Sequence, residues 1–318
     1  MEPDSESSRS LAAAITKAAS KQTYYTIRFL VDRERISAAY QAYAYFRWVD
    51  DTLDSPTNAC LEKTIFVERQ QTLLEASYLG ETPHDLCAEE RMLADLVRSD
   101  TEDHSGLQSY LRNMMRVMAF DTGRCGRVIG QTELAEYTRM LATAVSEAMC
   151  YFIGHEGAVL QNSPHIETCY PSVIAAHITH MLRDSLEDID AGYFNIPGEF
   201  LQAHGITPRD VDSPAYREWV SQRIQQARAH FKAGRACIAR VKSLRRRLAG
   251  YAYTARFEYV LRLIEHDHGR LRRAYPERKG LRAVVWMGWS TLTSLLASPW
   301  LRARTPQQAA NPLRMEER

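Results

Sequence analysis

The chain has 318 residues, 45% hydrophobic and 25% charged, with a formal net charge of +1. This is the balance of an ordinary globular protein, and without a broad basic excess it excludes a dedicated nucleic-acid binder. Six cysteines, at 60, 87, 125, 150, 169 and 237, are scattered with no Cys-x-x-Cys, which argues for a reduced cytoplasmic protein over a disulfide scaffold or zinc site.

The opening Met1-Glu-Pro-Asp-Ser-Glu-Ser-Ser is acidic and polar; it does not read as a signal peptide and is expected to be disordered. From there the apolar periodicity predicts helices at about 9–20, 33–54, 60–79, 86–99, 105–121, 131–154, 166–190, 214–243, 246–275 and 280–298. Breaks fall at Ser55-Pro56, Gly80-Glu-Thr-Pro83, Ser163-Pro164, Gly192, Pro197-Gly198, Gly205-Ile-Thr-Pro208 and Ser213-Pro214. No run alternates with period two and no internal repeat appears. The expectation is one all-α domain over 20–275, preceded by a polar segment with a short helix (1–19) and followed by an apolar helix and polar tail (276–318).

The helix predicted at 33–54 carries Tyr40, Tyr43, Arg47, Asp50 and Asp54 at spacings of 3, 4, 3 and 4, one stripe that is aromatic at one end and charged at the other. Asp50 and Asp54 are about one turn apart and project from one face, with Asp51 beside them. Read blandly, this is a core stripe ending in a solvated acidic tip. Three aspartates at a helix C-terminus oppose the macrodipole, however.

The helix predicted at 166–190 repeats the theme. His177, His180, Asp184 and Asp188 step by 3, 4 and 4, flanked by Arg183 and Glu187, while Ile174, Ile178, Met181, Leu182 and Leu186 make the rest apolar. The bland alternative is an ordinary salt-bridged face with internally bonded histidines. Like charges this close repel, and apolar neighbours make them costly to bury. Mg2+, a hard cation that shares oxygen ligands with substrate phosphates, removes both penalties if the two clusters face one cavity.

The run Arg235, Arg240, Lys242, Arg245, Arg246 and Arg247 reads as a solvated face complementing a helix C-terminus, and Arg270, Arg272 and Arg273 read the same way. Lys21 differs: it precedes Tyr24-Tyr25 and is a candidate for reaching a substrate diphosphate. His266-Asp267 is an isolated dipeptide without the further histidines a metal phosphohydrolase needs. The apolar stretch Val284 to Leu301 holds five Ser or Thr and three Trp. It is expected to pack on the domain, with contact to a membrane surface as the alternative.

Tyr43-Ala-Tyr-Phe-Arg-Trp-Val-Asp-Asp-Thr-Leu-Asp54 resembles the first aspartate-rich motif of squalene and phytoene synthases. His180-Met-Leu-Arg-Asp-Ser-Leu-Glu-Asp188, followed by Gly192-Tyr-Phe-Asn-Ile-Pro197, resembles the second. Met118-Ala-Phe-Asp121 and Glu133-Leu-Ala-Glu-Tyr137 through Val145 fit the family's middle. The resemblance covers about residues 20–275 and implies the all-α, class I isoprenoid synthase fold with a central cavity. It also implies ionisation of a geranyl, farnesyl or geranylgeranyl diphosphate with two or three Mg2+. By that resemblance Asp50, Asp54, Asp184 and Asp188 hold the metals, with His180 where the family places an Asn ligand. Arg47, Tyr43 and Arg183 serve the diphosphate, and Lys21, Tyr24, Tyr40, His177, Asp51 and Glu187 complete the candidate substrate contacts.

The chain departs from the family at Lys21-Gln-Thr-Tyr24, where a Ser-x-Ser-Phe segment is usual, at His177, where Gln is usual, and at Phe257, where a tyrosine falls. Imidazole is a poor partner for Mg2+ compared with an amide oxygen, and it suits orienting or deprotonating an acceptor. The expectation is therefore a prenyltransferase acting on a small aromatic acceptor. Head-to-head condensation of two prenyl diphosphates is the alternative. A non-catalytic assembly factor of the same fold is a further one, against which the intact acidic pairs argue.

Overall fold

The computed structural model of the protein describes residues 3–55, 60–154 and 170–297. The break predicted at Ser163-Pro164, the first residues of the helix predicted from 166 and the tail beyond 297 lie outside them. The helices are α1 (Pro3–Ala19), α2 (Lys21–Leu30), α3 (Ile36–Asp54), α4 (Cys60–Tyr78), α5 (Ala88–Ser99) and α6 (Gly106–Arg124). They continue as α7 (Gln131–Phe152), α8 (Tyr170–Asp190), α9 (Gly198–His204), α10 (Pro214–Arg240), α11 (Leu244–His266) and α12 (Leu281–Leu296). Among the described residues the nearest thing to a sheet is one parallel bridge between Val128 and Phe194.

Three expectations are corrected here. The acidic opening is helical from Pro3, not disordered. Two short helices, α2 and α9, appear where none was expected; α2 starts at Ser20, whose hydroxyl accepts the Thr23 N–H at 3.2 Å. Finally, α11 stops at His266 instead of running to 275. His268 (φ 54) and Gly269 (φ 76) turn the chain there, and Arg272 holds the turn by pairing with Asp267 and Glu277, both at 2.7 Å.

Among the described residues two large apolar cores form, with two small clusters beside them. One gathers α1 to α6 and the end of α7 around Tyr45, Leu74, Met92, Leu107 and Leu111. The other gathers α8 to α11 around Ile178, Trp219, Phe231 and Leu261. Helix α7 packs against both α6 and α8 and so joins them. Within the second core Gly234 lets α10 touch α8: a Cβ there would lie 2.6 Å from the Ser172 backbone nitrogen.

The C-terminus of α7 shows that part of the basic run at 235–247 is more than a solvated face, although Arg240 and Lys242 are exposed as expected. Arg35 donates to Tyr151 O, the Asp32 N–H to Phe152 O, and Arg246 to the carbonyls of Cys150, Ile153 and Gly154. These satisfy carbonyls that a helix end leaves orphaned. Asp32, 6% exposed, receives the Gly154 N–H and pairs with Arg245. Arg235 binds Glu258 and the hydroxyls of Ser290 and Ser294, tying α10, α11 and α12 together. Arg273 likewise pairs with Asp190.

Helix α12 packs on α11 through Ala283, Thr291 and Trp286, the last meeting Tyr259 at 5.6 Å. Its other face, with Leu281, Val284, Val285, Trp289, Leu292 and Leu296, is exposed. No described helix is long and apolar enough to cross a membrane.

Candidate active site

Helix α3 enters the site because small residues let it sit close to its neighbours: Ala39, Ala42 and Ala44 are buried, as are Tyr45, Phe46 and Val49. Its last turn then delivers Asp50, Asp51 and Asp54 before the extended Ser55 ends the helix. Arg47 does not serve them equally. It forks onto Asp51 through two nitrogens and reaches Asp50 at 3.3 Å. Asp51 is thus neutralised at the surface. Asp50 is pushed up to about 6 by burial and by the charge of Asp54, against the pull of Arg47. Asp54 is also raised, chiefly by burial.

On α8 the ions sort in the same way. Arg183 forks onto Asp184, and His180 Nε2 lies 2.9 Å from an oxygen of the same carboxylate. Burial pushes the Asp184 carboxyl up, but these two partners more than reverse it and hold it well below the usual carboxylate range. Asp188, one turn on, makes no ion pair among the described residues, though the charge of Arg124 pulls on it. Burial and Asp184 push it up to about 7, opposed by a 2.7 Å hydrogen bond from the Asn195 amide.

The two acidic ends meet around Asp121 of α6. Its charge bears on Asp50 and Asp54 from one side and on Asp188 from the other, and that of His180 bears on it in turn. Asp121 accepts from Arg124 at 2.7 Å and from the Tyr137 hydroxyl at 2.9 Å. Arg124, 5% exposed, also donates to Asn195 at 3.0 Å. It sits over the rings of Tyr137 and Tyr193, with centroids 5.0 and 5.1 Å away. This bridge exists because the α6–α7 and α8–α9 links lie side by side. Gly192, at φ 86, turns the chain, and its carbonyl accepts the Gly126 N–H at 2.8 Å next to the Val128–Phe194 bridge.

Tyr43, Tyr110, Tyr253 and Phe257 are partly buried, and burial raises the pKa of Tyr110 and of Tyr253. The ring of Phe257 stands 6.4 Å from His180 and 5.1 Å from Tyr253. Arg256 and Arg278 lie within reach of the Arg183 charge, their pKa values lowered first by burial and then by Arg183.

Not every candidate joins the site. Tyr40 is 6% exposed, donates to the Tyr24 carbonyl at 3.2 Å and stacks on the Tyr24 ring at 5.3 Å. That pair joins α2 to α3 ten residues, or about 15 Å, from Asp50. Lys21 is exposed at the start of α2, and Glu187 is exposed on α8. His177 is buried against the edge of Tyr137, whose ring is 5.0 Å away. Asp121, Arg124, Tyr137, Tyr193 and Asn195 carry no role in the sequence pattern, although Asp121, Tyr137, Tyr193 and Asn195 lie in segments that resemble the family. Among the described residues, no three His, Cys, Asp or Glu side chains already close on a single ion. His266 is 91% exposed, so the His-Asp dipeptide builds no site.

The family model for squalene/phytoene synthase matches residues 16–282. The chain is 27% identical over 219 residues to chloroplastic phytoene synthase 3 of Zea mays, covering 66% of this chain and 49% of that one, so it spans about half the length of the maize protein. It is 26% identical over 218 residues to presqualene diphosphate synthase of Rhodopseudomonas palustris, covering 66% of this chain and 72% of that one. The crystal structure of squalene synthase HpnC from Alicyclobacillus acidocaldarius superposes with a TM-score of 0.67 at 16% identity, covering 86% of this chain and 98% of that one. The fold is thus the all-helical one of that synthase, and with the family model matched over residues 16–282 the chain belongs to the squalene/phytoene synthase family.

Proposed function

We propose that this protein condenses two prenyl diphosphates head to head, ionising one of them with Mg2+. The observation that carries the reading is the convergence of Asp50 and Asp54 with Asp188 around Asp121. The names of the maize and Rhodopseudomonas relatives favour two prenyl chains over the small aromatic acceptor expected from the histidines.

The donor set suits a hard cation. Asp50 and Asp188 are carboxylates pushed up to about 6 and about 7 because burial and like charge surround them, and oxygen donors in that state favour Mg2+. Asp50, Asp54, Asp184 and Asp188 would hold the ions, which supply Lewis-acid neutralisation of the leaving diphosphate. Arg47 and Arg183 stand beside them to share charge with the diphosphate. Tyr43, Tyr110 and Phe257, each partly buried, would offer ring faces to an allylic cation, at about 0.5–2 kcal/mol each.

The test is incubation with Mg2+ and farnesyl or geranylgeranyl diphosphate as sole substrate. A coupled C30 or C40 product is expected, abolished by EDTA and reduced at least about 100-fold by Asp50→Asn or Asp188→Asn. Release of prenyl alcohol with no coupled product rejects the reading.

A further inference from the structure

Three arginines away from the acidic site share one pocket. Arg9 comes from α1, Arg28 from α2 and Arg33 from the single helical turn Arg33–Arg35. They line a concave pocket of about 530 Å³ whose floor is Ile36, Ser37 and Tyr40, on the first turns of α3. The aspartates lie at the other end of that helix. Among the described residues no carboxylate lines the pocket, and none of the three guanidiniums makes an ion pair. Exposed arginines elsewhere do find carboxylates: Arg98 takes Asp95, Arg139 takes Glu136 and Arg273 takes Asp190. Like charges gathered from three elements repel, and an anion from outside relieves them, a phosphate best of all because it matches the guanidinium fork. The start of α3 adds its positive dipole end, since Arg35 supplies no side-chain cap there.

The rim tells which phosphate. Tyr25 and Phe29 are one turn apart on α2 and share a face with Arg28. They are 50% and 71% exposed, and their rings stack with centroids 6.1 Å apart. A free phosphate uses the arginines and leaves these rings in water. A bilayer surface uses both, because aromatic rings settle at the headgroup boundary while arginines meet the phosphates. The net charge of +1 gives the chain as a whole little attraction to an anionic surface, so a preference for one has to come from a local patch.

We propose that this pocket and the Tyr25–Phe29 pair form a docking surface for membranes rich in anionic phospholipid, with a lipid phosphate seated among Arg9, Arg28 and Arg33. The surface is distinct from the exposed face of α12, a helix with one basic residue, Arg282. It is independent of the condensation reading.

The test floats the full chain with vesicles of phosphatidylcholine, and with vesicles of equal parts phosphatidylcholine and phosphatidylglycerol. One arginine near an anionic surface strengthens binding about fivefold. The mixed vesicles should therefore be bound at least about tenfold more tightly than the neutral ones, and Arg28→Gln with Arg33→Gln should weaken that binding at least about tenfold. Phe29→Ser should weaken binding to both kinds of vesicle. The altered side chains are exposed, so all variants should melt with the parent, and Arg28→Lys with Arg33→Lys, which keeps the charge, should bind the mixed vesicles as the parent does. Smaller ratios in either comparison overturn the proposal, as does a lysine pair that binds as poorly as the glutamine pair. Binding that Trp289→Ser abolishes and the arginine variants leave intact places the contact on α12 and overturns it. Saturable binding of inorganic diphosphate without lipid or Mg2+, lost in the glutamine pair, assigns the pocket to a free anion and also overturns it.

Discussion

Asp121 sits where three groups with conflicting needs meet: the Arg124 guanidinium, the Tyr137 hydroxyl and the carboxylates of both acidic helix ends. Its negative charge raises Asp50, Asp54 and Asp188, so each of these gives up its proton less readily than it would alone. Asp121→Asn keeps the shape and removes the charge. Diphosphate release is expected to fall about 10- to 100-fold, the cost usual for a residue supporting ligands. The surviving activity should hold to lower pH, because Asp50 and Asp188 then ionise at lower pH. A pH–rate profile of both proteins checks the sign. This residue's part was not legible in sequence. Arg124 is three residues on in the same helix, but Tyr137 comes from α7 and the carboxylates it acts on from α3 and α8, and no spacing rule connects positions so far apart.

At the scale of elements, the acidic pairs and the histidine stripe were legible because three- and four-residue spacings within one helix need no knowledge of neighbours. The tyrosine stripe on α3 is legible as a stripe but not as to what it faces: Tyr40 is spent on α2, a helix of only ten residues. What fixes α3 laterally is a polar chain. Tyr45 donates to Gln70 at 3.1 Å, Gln70 to Glu90 at 3.0 Å, and Arg69 reaches Glu90 at 2.7 Å, linking α3, α4 and α5. Glu90 is 3% exposed and held down to about 2 by Arg69 first, against the cost of burial. Its folded pKa is depressed, so its stabilisation is complete above the unfolded value of about 4.5 and is lost as pH falls towards 2. Glu90→Gln should destabilise by about 2–3 kcal/mol at pH 7, and the gap to the parent should close on acidification in urea titrations. Gly234→Ala tests the other face of the bundle. The added methyl meets Ser172 backbone, so α10 and α8 must part, at about 2–3 kcal/mol by thermal melting.

At the scale of the molecule, two cores share a site at their seam, and the seam is closed by main-chain carbonyls of α7 received on Arg35 and Arg246. The sequence could show basic residues but not their destination, since Arg246 and Cys150 lie 96 positions apart. Arg246→Met should cost about 2–4 kcal/mol for three charged hydrogen bonds partly replaced by water. It should also separate the unfolding transitions reported by Trp48, in the first core, and Trp219, in the second. In the parent protein the two should coincide. The clamp has a bearing on recombination. Its acceptors are peptide groups that every sequence carries, while its donor on the downstream side is one side chain, Arg246 on α11. A chimaera of two relatives joined anywhere between residues 155 and 243 takes the acceptors from one parent and the guanidinium from the other. Exchange there is harmless only when the downstream parent brings its own arginine to that place.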